Sequence, residues 1–302
     1  MKILLTGATG FLGSHIAENL NNSKHELLLT KRLNSSLKNC QSFCTNVKWI
    51  NIDTEEWTKQ VISYKPDIII HAAWNGVFSS NRENWDSQLT NINFIYQLLK
   101  IGEKCKVKKF ISLGSQAEYG LFEGKITEEY PVNPNSSYGA IKLATYELVK
   151  SFCEDTKIDW YWLRIFAIFG ERESENWLIP SVISKMLSEI KEMDFTLGEQ
   201  KYAYLYAADF AQSVSNVVMK YGPSGVYNVS SSNTQSLKDL LQMIRDQINP
   251  DFKLNFGILP YRINQSMHIE GDSTKFNNTF GHINSEDFND KLERVINSYR
   301  KQ

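Results

Sequence analysis

This chain is short of cysteine and proline, carries almost no net charge and lacks any long apolar run; each shortage excludes something. Of its 302 residues only Cys40, Cys44, Cys105 and Cys153 are cysteine. Cys40 and Cys44 lack the close Cys or His partners of a zinc site, so free thiols in a reducing compartment are expected, and no metal. Lysine and arginine number 33 against 34 aspartate and glutamate, a formal charge of −1. That balance provides no general field for nucleic acid or an anionic membrane surface, so an anionic ligand must be held by local groups. No apolar stretch reaches the roughly 18 residues a membrane helix needs, and Met1 runs straight into a strand. Neither a secretory leader nor a membrane span is expected, which points to a cytoplasmic protein. There is no internal repeat and no low-complexity tract. The length suits one α/β unit with an added lobe.

What is present is concentrated in the first thirteen residues. Lys2 to Thr6 is a short apolar strand, followed by Gly7-Ala8-Thr9-Gly10-Phe11-Leu12-Gly13 and then a helical spacing from Ser14 to Leu20. A strand, a glycine turn and a helix start form the first half of a dinucleotide-binding unit. Gly7 allows the sharp turn, Gly10 lets the backbone approach a pyrophosphate, and Gly13 lets helix and strand pack closely. Thr9, Phe11 and Leu12 supply the rest of that turn, and the helix N-terminus offers free N–H groups to phosphate.

Downstream, strands and helices alternate. Glu26–Thr30, Val47–Ile52, Asp67–Ile70, Phe110–Leu113 and Asp159–Ile165 read as strands, and Asn84–Cys105 and Ser137–Cys153 as helices. Such alternation predicts α/β architecture with a doubly wound parallel sheet. The second strand ends in Lys31 and Arg32 rather than in the carboxylate that would favour NAD, so these cations, if not merely solvated, suit the 2′-phosphate of NADP. Ile52 and Asp53 close the third strand, where Asp53 would meet adenine or cap a helix near Glu55. The fourth ends in His71-Ala72-Ala73, small enough to lie against a cofactor. Beyond Gly170 the pattern loosens: helices are predicted at Asn176–Ile190, Asp209–Lys220, Ser236–Ile248 and Phe288–Tyr299, with strands at Val226–Val229 and Lys253–Phe256. The division expected is a dinucleotide-binding domain over 1–168 and a smaller mixed lobe over 169–302, with elements near 209–245 returning to the first.

The chemistry centres on Tyr138 and Lys142, one helical turn apart on one face. An ammonium beside a phenol favours phenolate, which would make Tyr138 an acid or base. Ser115, just past the end of a strand, sits where open α/β sheets place ligands.

With Gly7-x-x-Gly10-x-x-Gly13, Asp53, His71-Ala72-Ala73, Asn91, Ser115, Tyr138-x-x-x-Lys142, Leu163-Arg164-Ile165-Phe166, Gly198-Glu199-Gln200 to Asp209, Arg262 and Gly271-Asp272-Ser273-Thr274-Lys275, the chain resembles the extended short-chain dehydrogenase/reductases that act on nucleotide sugars. The resemblance spans essentially the whole length. It implies a Rossmann domain, NAD(P), and a nucleotide-sugar substrate in the C-terminal lobe. It also implies Tyr138 as acid/base, Ser115 polarising the substrate oxygen, and Lys142 supporting both tyrosine and cofactor. Asn91 and Phe166 join the expected cofactor contacts, with a structural tie from its helix to neighbouring loops as the other reading of Asn91; Trp74, Asn75, Gln116, Glu118, Trp177, Lys201, Tyr202 and Arg262 are the expected substrate contacts. Core packing is the alternative for Trp177 and Tyr202, and a surface role for Glu118.

Departures from the family narrow the activity. Sugar 4,6-dehydratases carry an Asp-Glu pair after the residue matching Ser115; here Gln116 and Ala117 follow. The GDP-fucose synthase type adds a Cys and a His, where Ala117 and Trp177 stand here. The expectation is therefore an NADPH-dependent 4-keto reductase making a deoxy- or heptose-type nucleotide sugar for carbohydrate biosynthesis, such as lipopolysaccharide or capsule. Alternatives are a 4-epimerase with bound NAD and a non-catalytic cofactor-sensing interaction protein. A homodimer through the two long helices is a further implication of the resemblance.

Overall fold

The computed structural model describes residues 1–77, 81–284 and 287–300. The N-terminal part runs β1 (Lys2–Thr6), α1 (Phe11–Asn22), β2 (Glu26–Lys31), β3 (Lys48–Asn51), α2 (Trp57–Tyr64), β4 (Ile68–His71), α3 (Trp85–Cys105), β5 (Lys109–Ser115), β6 (Gly124–Ile126), α4 (Ser137–Thr156), β7 (Asp159–Ile165) and β8 (Ile168–Phe169). The remainder runs α5 (Leu178–Leu187), β9 (Glu192–Phe195), β10 (Lys201–Tyr202), β11 (Leu205–Tyr206), α6 (Ala207–Met219), β12 (Gly225–Val229), β13 (Gln235–Ser236), α7 (Leu237–Ile248), β14 (Lys253–Phe256), β15 (His268–Gly271), α8 (Thr274–Phe280) and α9 (Phe288–Arg300).

Seven strands form one sheet in the order β3-β2-β1-β4-β5-β7-β12, and every neighbouring pair is parallel. This is the doubly wound, Rossmann-like sheet expected from the sequence. Both faces are covered, and successive residues of each strand face opposite cores. Ile3, Leu5, Leu27, Leu29, Ile68 and Ile70 pack with α1 and α6. Leu4, Leu28, Ile69 and Phe110 pack with α2, α3 and α4 on the other side. The strand order reverses between β1 and β4, so their C-terminal ends open the crevice where such sheets take ligands.

α6 and β12 pack with the main sheet. α7 does not: Leu237, Leu240, Leu241 and Ile244 pack instead with α5 and α9 in the lobe's own core. α8 takes a place under the main sheet through Phe276 and Phe280. A four-stranded sheet, β13-β10-β15-β6, joins the lobe to the β5–α4 connection. Lys109, buried at the start of β5, fastens α6. Its ammonium donates to the Val217 and Val218 carbonyls at 3.0 and 2.9 Å, closing the helix end that lacks intrahelical partners. α5 is shorter than its apolar pattern suggests. It begins after Trp177 and places Pro180 in its first turn, where a missing N–H costs no helical bond.

Candidate active site

Three turns meet at the crevice. The first follows β1. A side chain at Gly13 would lie 2.0 Å from the Gly7 carbonyl oxygen, and one at Gly7 would lie 2.6 Å from the Ala73 nitrogen. Internal packing therefore demands both glycines. Gly10 differs: its nearest neighbour would be 3.3 Å away, it is exposed, and it is the N-cap of α1 with no side-chain cap. A small residue there is explained by something outside the chain that approaches the open N–H groups, and a pyrophosphate fits. Gly10→Ala is accordingly expected to leave the thermal midpoint close to wild type yet weaken dinucleotide binding by roughly tenfold or more, measured by fluorescence titration.

The second turn follows β4. Thr6 Oγ1 shares a 2.9 Å hydrogen bond with His71 Nδ1 and accepts one from the Ala73 N–H at 3.3 Å. Burial moves the His71 imidazole down to about 3, with the Lys142 charge acting the same way, so it is neutral at pH 7. His71 is a strut that holds the Ala72-Ala73 turn against Gly7. Asn91 does similar work. Its Oδ1 accepts from Asn75 N at 2.7 Å, and its Nδ2 donates to the Asn75 and Gln88 carbonyls. Asn91 thus ties α3 to the loop after β4.

The third turn joins β5 to α4. Ser115 caps a short 3-10 turn over Gln116–Glu118: its hydroxyl accepts from Ala117 N at 3.2 Å, and Glu118 returns to accept from Ser115 N at 2.8 Å. The sequence expectation for Glu118 fails. Its carboxylate is fully enclosed and accepts from Arg164 Nε at 2.7 Å and from Trp162 Nε1 at 2.9 Å. Neither a substrate contact nor a surface residue, it is the buried base on which Ser115 stands. Phe166 packs in an aromatic cluster with Tyr119 and Phe122 at 6.3 and 6.2 Å.

α4 starts with Ser136 as N-cap, and Gly139 comes so close to the Ser115 turn that a side chain would meet the Ala117 oxygen at 2.4 Å. This contact brings Tyr138 to Ser115. Burial raises the phenol's pKa, whereas the Arg82 charge and the Ser115 hydroxyl lower it. Lys142 shares a helix face with Tyr138 and lies over its ring. Its Nζ donates to the Leu113 carbonyl at 2.7 Å, lies 3.4 Å from the Trp74 ring centre, and is 5.8 Å from that of Tyr138. Burial moves the ammonium down to about 7 against the raising effect of Glu118. The nearer cation is Arg82, whose guanidinium carbon is 4.2 Å from the Tyr138 ring centre. No motif singles out Arg82; its charge beside a turn-forming Asn81 was the only available signal.

Farther out, Trp74 meets Tyr138 edge-on at 6.0 Å and donates to Gln88. Gln116 is partly exposed beside Ser115. Asp53 does not cap α2. It accepts from Leu33 N at 2.6 Å and so ties the loop after β2 to the end of β3, where Ile52 N donates to the Lys31 carbonyl. Lys31 and Arg32 project from that loop with no ion-pair partner among the described residues. In the lobe, Tyr202 accepts from Gln265 at 2.7 Å; burial raises its phenol's pKa against the opposing effects of that bond and of the Arg262 charge. Lys201 is exposed beside Tyr202, and Trp177 is half-buried as the N-cap of α5.

A dinucleotide turn, a small-residue second turn and a Ser–Tyr–Lys set on one sheet edge define a cofactor-dependent enzyme of the Rossmann type. Residues 3–230 match the NAD dependent epimerase/dehydratase family, and the chain belongs to that family. It is 27% identical over 277 residues to the CDP-abequose synthase of Salmonella muenchen, covering 90% of this chain and 89% of that protein. It is 24% identical over 277 residues to the dTDP-6-deoxy-L-talose 4-dehydrogenase (NAD(+)) of Aggregatibacter actinomycetemcomitans, covering 90% and 99%. The fold superposes on a UDP-N-acetylglucosamine 4-epimerase from Methanobrevibacter ruminantium M1 with a TM-score of 0.90 at 23% identity, covering 100% and 98% of the two chains. It also matches a UDP-glucuronic acid 4-epimerase from Bacillus cereus, solved with UDP-glucuronic acid and NAD, with a TM-score of 0.88 at 24% identity, covering 100% and 99%. Among the described residues no helix is long and apolar enough to cross a membrane, and no cluster of metal-ligating side chains occurs.

Proposed function

We propose that this enzyme reduces the 4-keto group of a nucleotide-linked sugar with NADPH. The observation that carries the proposal is the buried Tyr138 phenol at the β5 edge, beside Ser115 and one turn from Lys142. When bound, the nicotinamide supplies the hydride. The Ser115 hydroxyl donates to the sugar carbonyl oxygen, and Tyr138 delivers a proton to that oxygen as it becomes an alcohol. Lys142 would hold the cofactor's ribose when it is bound. Elimination of water has no support here, because Gln116 and Ala117 cannot move protons and the Glu118 carboxylate is shut behind Ser115. Trp74, Asn75, Gln116, Trp177, Lys201, Tyr202 and Arg262 are proposed to line the nucleotide-sugar site.

The relatives lend support in kind: one is named for a sugar 4-dehydrogenase and another for the synthesis of a nucleotide-linked deoxy sugar. Their cofactor labels are less helpful to NADP, since the talose enzyme is named for NAD and the Bacillus cereus epimerase was solved with it. The NADP choice rests on Lys31 and Arg32, two unpaired cations at the end of β2 where a 2′-phosphate would lie. Arg32→Asp is expected to reverse the ratio of NADPH to NADH efficiency; an unchanged ratio would remove the cofactor assignment. The same Ser–Tyr–Lys set would serve a 4-epimerase that retains NAD, and a panel of nucleotide-linked 4-keto sugars with both cofactors separates the two. A homodimer through α3 and α4 belongs to the same proposal, with Trp85, Leu89 and Tyr96 exposed on α3; sedimentation tests it.

A further inference from the structure

We infer that Trp74 is a positioning residue for Lys142: its indole face, fixed from behind by Gln88, keeps the buried ammonium in place and charged beside Tyr138. The inference deepens the proposed function, because it rests on Lys142 supporting Tyr138 and the cofactor in that reaction. Three observations support it.

First, the ammonium is enclosed and short of compensation. Lys142 is 4% exposed, and its Nζ donates to the Leu113 carbonyl. The carboxylate that acts on it, Glu118 in the turn after β5, is already given over to Arg164, Trp162 and the Ser115 amide. The other groups that face it are Tyr138 on its own helix, Arg82 from the loop before α3, whose charge opposes the ammonium, and His71 at the end of β4, kept neutral by burial. Burial and these charges together bring the ammonium down to about 7. An aromatic face acts the other way, because it attracts the cation and not the neutral amine.

Second, that face is in contact. The Lys142 nitrogen lies 3.4 Å from the Trp74 ring centre, against 5.8 Å from that of Tyr138. Indole is the strongest of the aromatic faces for a cation, and the attraction grows when water is excluded.

Third, the ring is held from turning away. Trp74 Nε1 donates to Gln88 Oε1 at 2.9 Å. Gln88 is fully buried on α3, and its Nε2 donates to the Gly76 and Asn81 carbonyls at 2.7 and 3.1 Å. A side chain at Gly76 would lie 2.5 Å from that nitrogen, so the loop is built around the amide. Asn91 secures Asn75 next to the ring. The loop after β4 therefore aims the indole face at the ammonium before any ligand arrives.

The test uses the full chain with its lysines isotope-labelled at Cε, assigns Lys142 by the signal missing in Lys142→Arg, and follows its titration by NMR. Trp74 is replaced by a series of ring-fluorinated tryptophans, which keep the shape and the N–H but weaken the negative face. The Lys142 midpoint is expected to fall with each added fluorine, by about one pH unit in all, the worth of a desolvated cation–π contact. Trp74→Leu should lower it by a similar amount, and Trp74→Phe by less, because a face remains. With a nucleotide-linked 4-keto sugar and NADPH near pH 8, kcat should fall in the same order, with KM within about twofold of wild type. A midpoint that stays constant across the fluorinated series would overturn the inference. So would a raised KM with an unmoved midpoint, which would make Trp74 a substrate contact. The titration needs neither cofactor nor substrate, so it decides the role of Trp74 even if no keto sugar is reduced, while the reduction itself stands or falls with Tyr138→Phe.

Discussion

Tyr138→Phe is expected to lower turnover of a nucleotide-linked 4-keto sugar by about 10²- to 10⁴-fold, the usual worth of a positioned proton donor. The loss should fall on kcat, because the phenol acts as the alkoxide forms and not when the substrate binds. Fold and dinucleotide binding should survive: the ring remains between Arg82 and Trp74, and only the hydroxyl is removed. Tyr138 is largely buried, so the proton it gives is expected to return through neighbouring groups such as the Ser115 hydroxyl bonded to it. Steady-state kinetics beside a cofactor titration checks this. Wild-type turnover in Tyr138→Phe would remove the proposed chemistry.

The second large effect is structural. Glu118→Ala should destabilise the protein by about 3–5 kcal/mol, as removal of one partner from a buried ion pair does. Both members of the pair are almost entirely enclosed, at 0% and 3% side-chain exposure. Without the carboxylate, Arg164 keeps an unpaired buried charge, and Trp162 Nε1 and the Ser115 amide lose their acceptor. By size scaling the thermal midpoint should fall by roughly 10 °C. Because the same carboxylate orients Ser115, any folded Glu118→Ala protein should also be slow. Glu118→Gln keeps an acceptor for Ser115 N and should lose less on both counts. Urea unfolding followed by tryptophan fluorescence measures the first effect, and turnover at low temperature the second.

What the sequence revealed follows from how far apart the cooperating residues lie. The glycine turn after β1 was legible because its parts are adjacent: a strand, three glycines and a helix within twenty residues. Tyr138 and Lys142 were legible as a pair on one helix face, but the ammonium's other partners were not. The attraction of Lys142 to Leu113 O and to the Trp74 ring depends on a strand and a loop that come earlier in the chain. Glu118 read as a surface or substrate residue for the same reason: its partners Trp162 and Arg164 are 44 and 46 positions away, on a strand that becomes its neighbour only in the folded sheet. Arg82 lies in a connection with no periodicity, where sequence patterns carry least information. The lobe followed the same rule. α6 and β12 were placed with the main sheet, but the apolar face of α7 fits either core, and only packing against α5 and α9 decides.

The most direct test is reduction with NADPH deuterated at the transferable position of the nicotinamide, using a nucleotide-linked 4-keto sugar and mass and NMR analysis of the product. The account requires one deuterium at sugar carbon 4, one equivalent of NADP⁺ per product, and loss of the reaction in Tyr138→Phe. A product without deuterium, or interconversion of two sugar epimers with no net oxidation of NADPH, would contradict it.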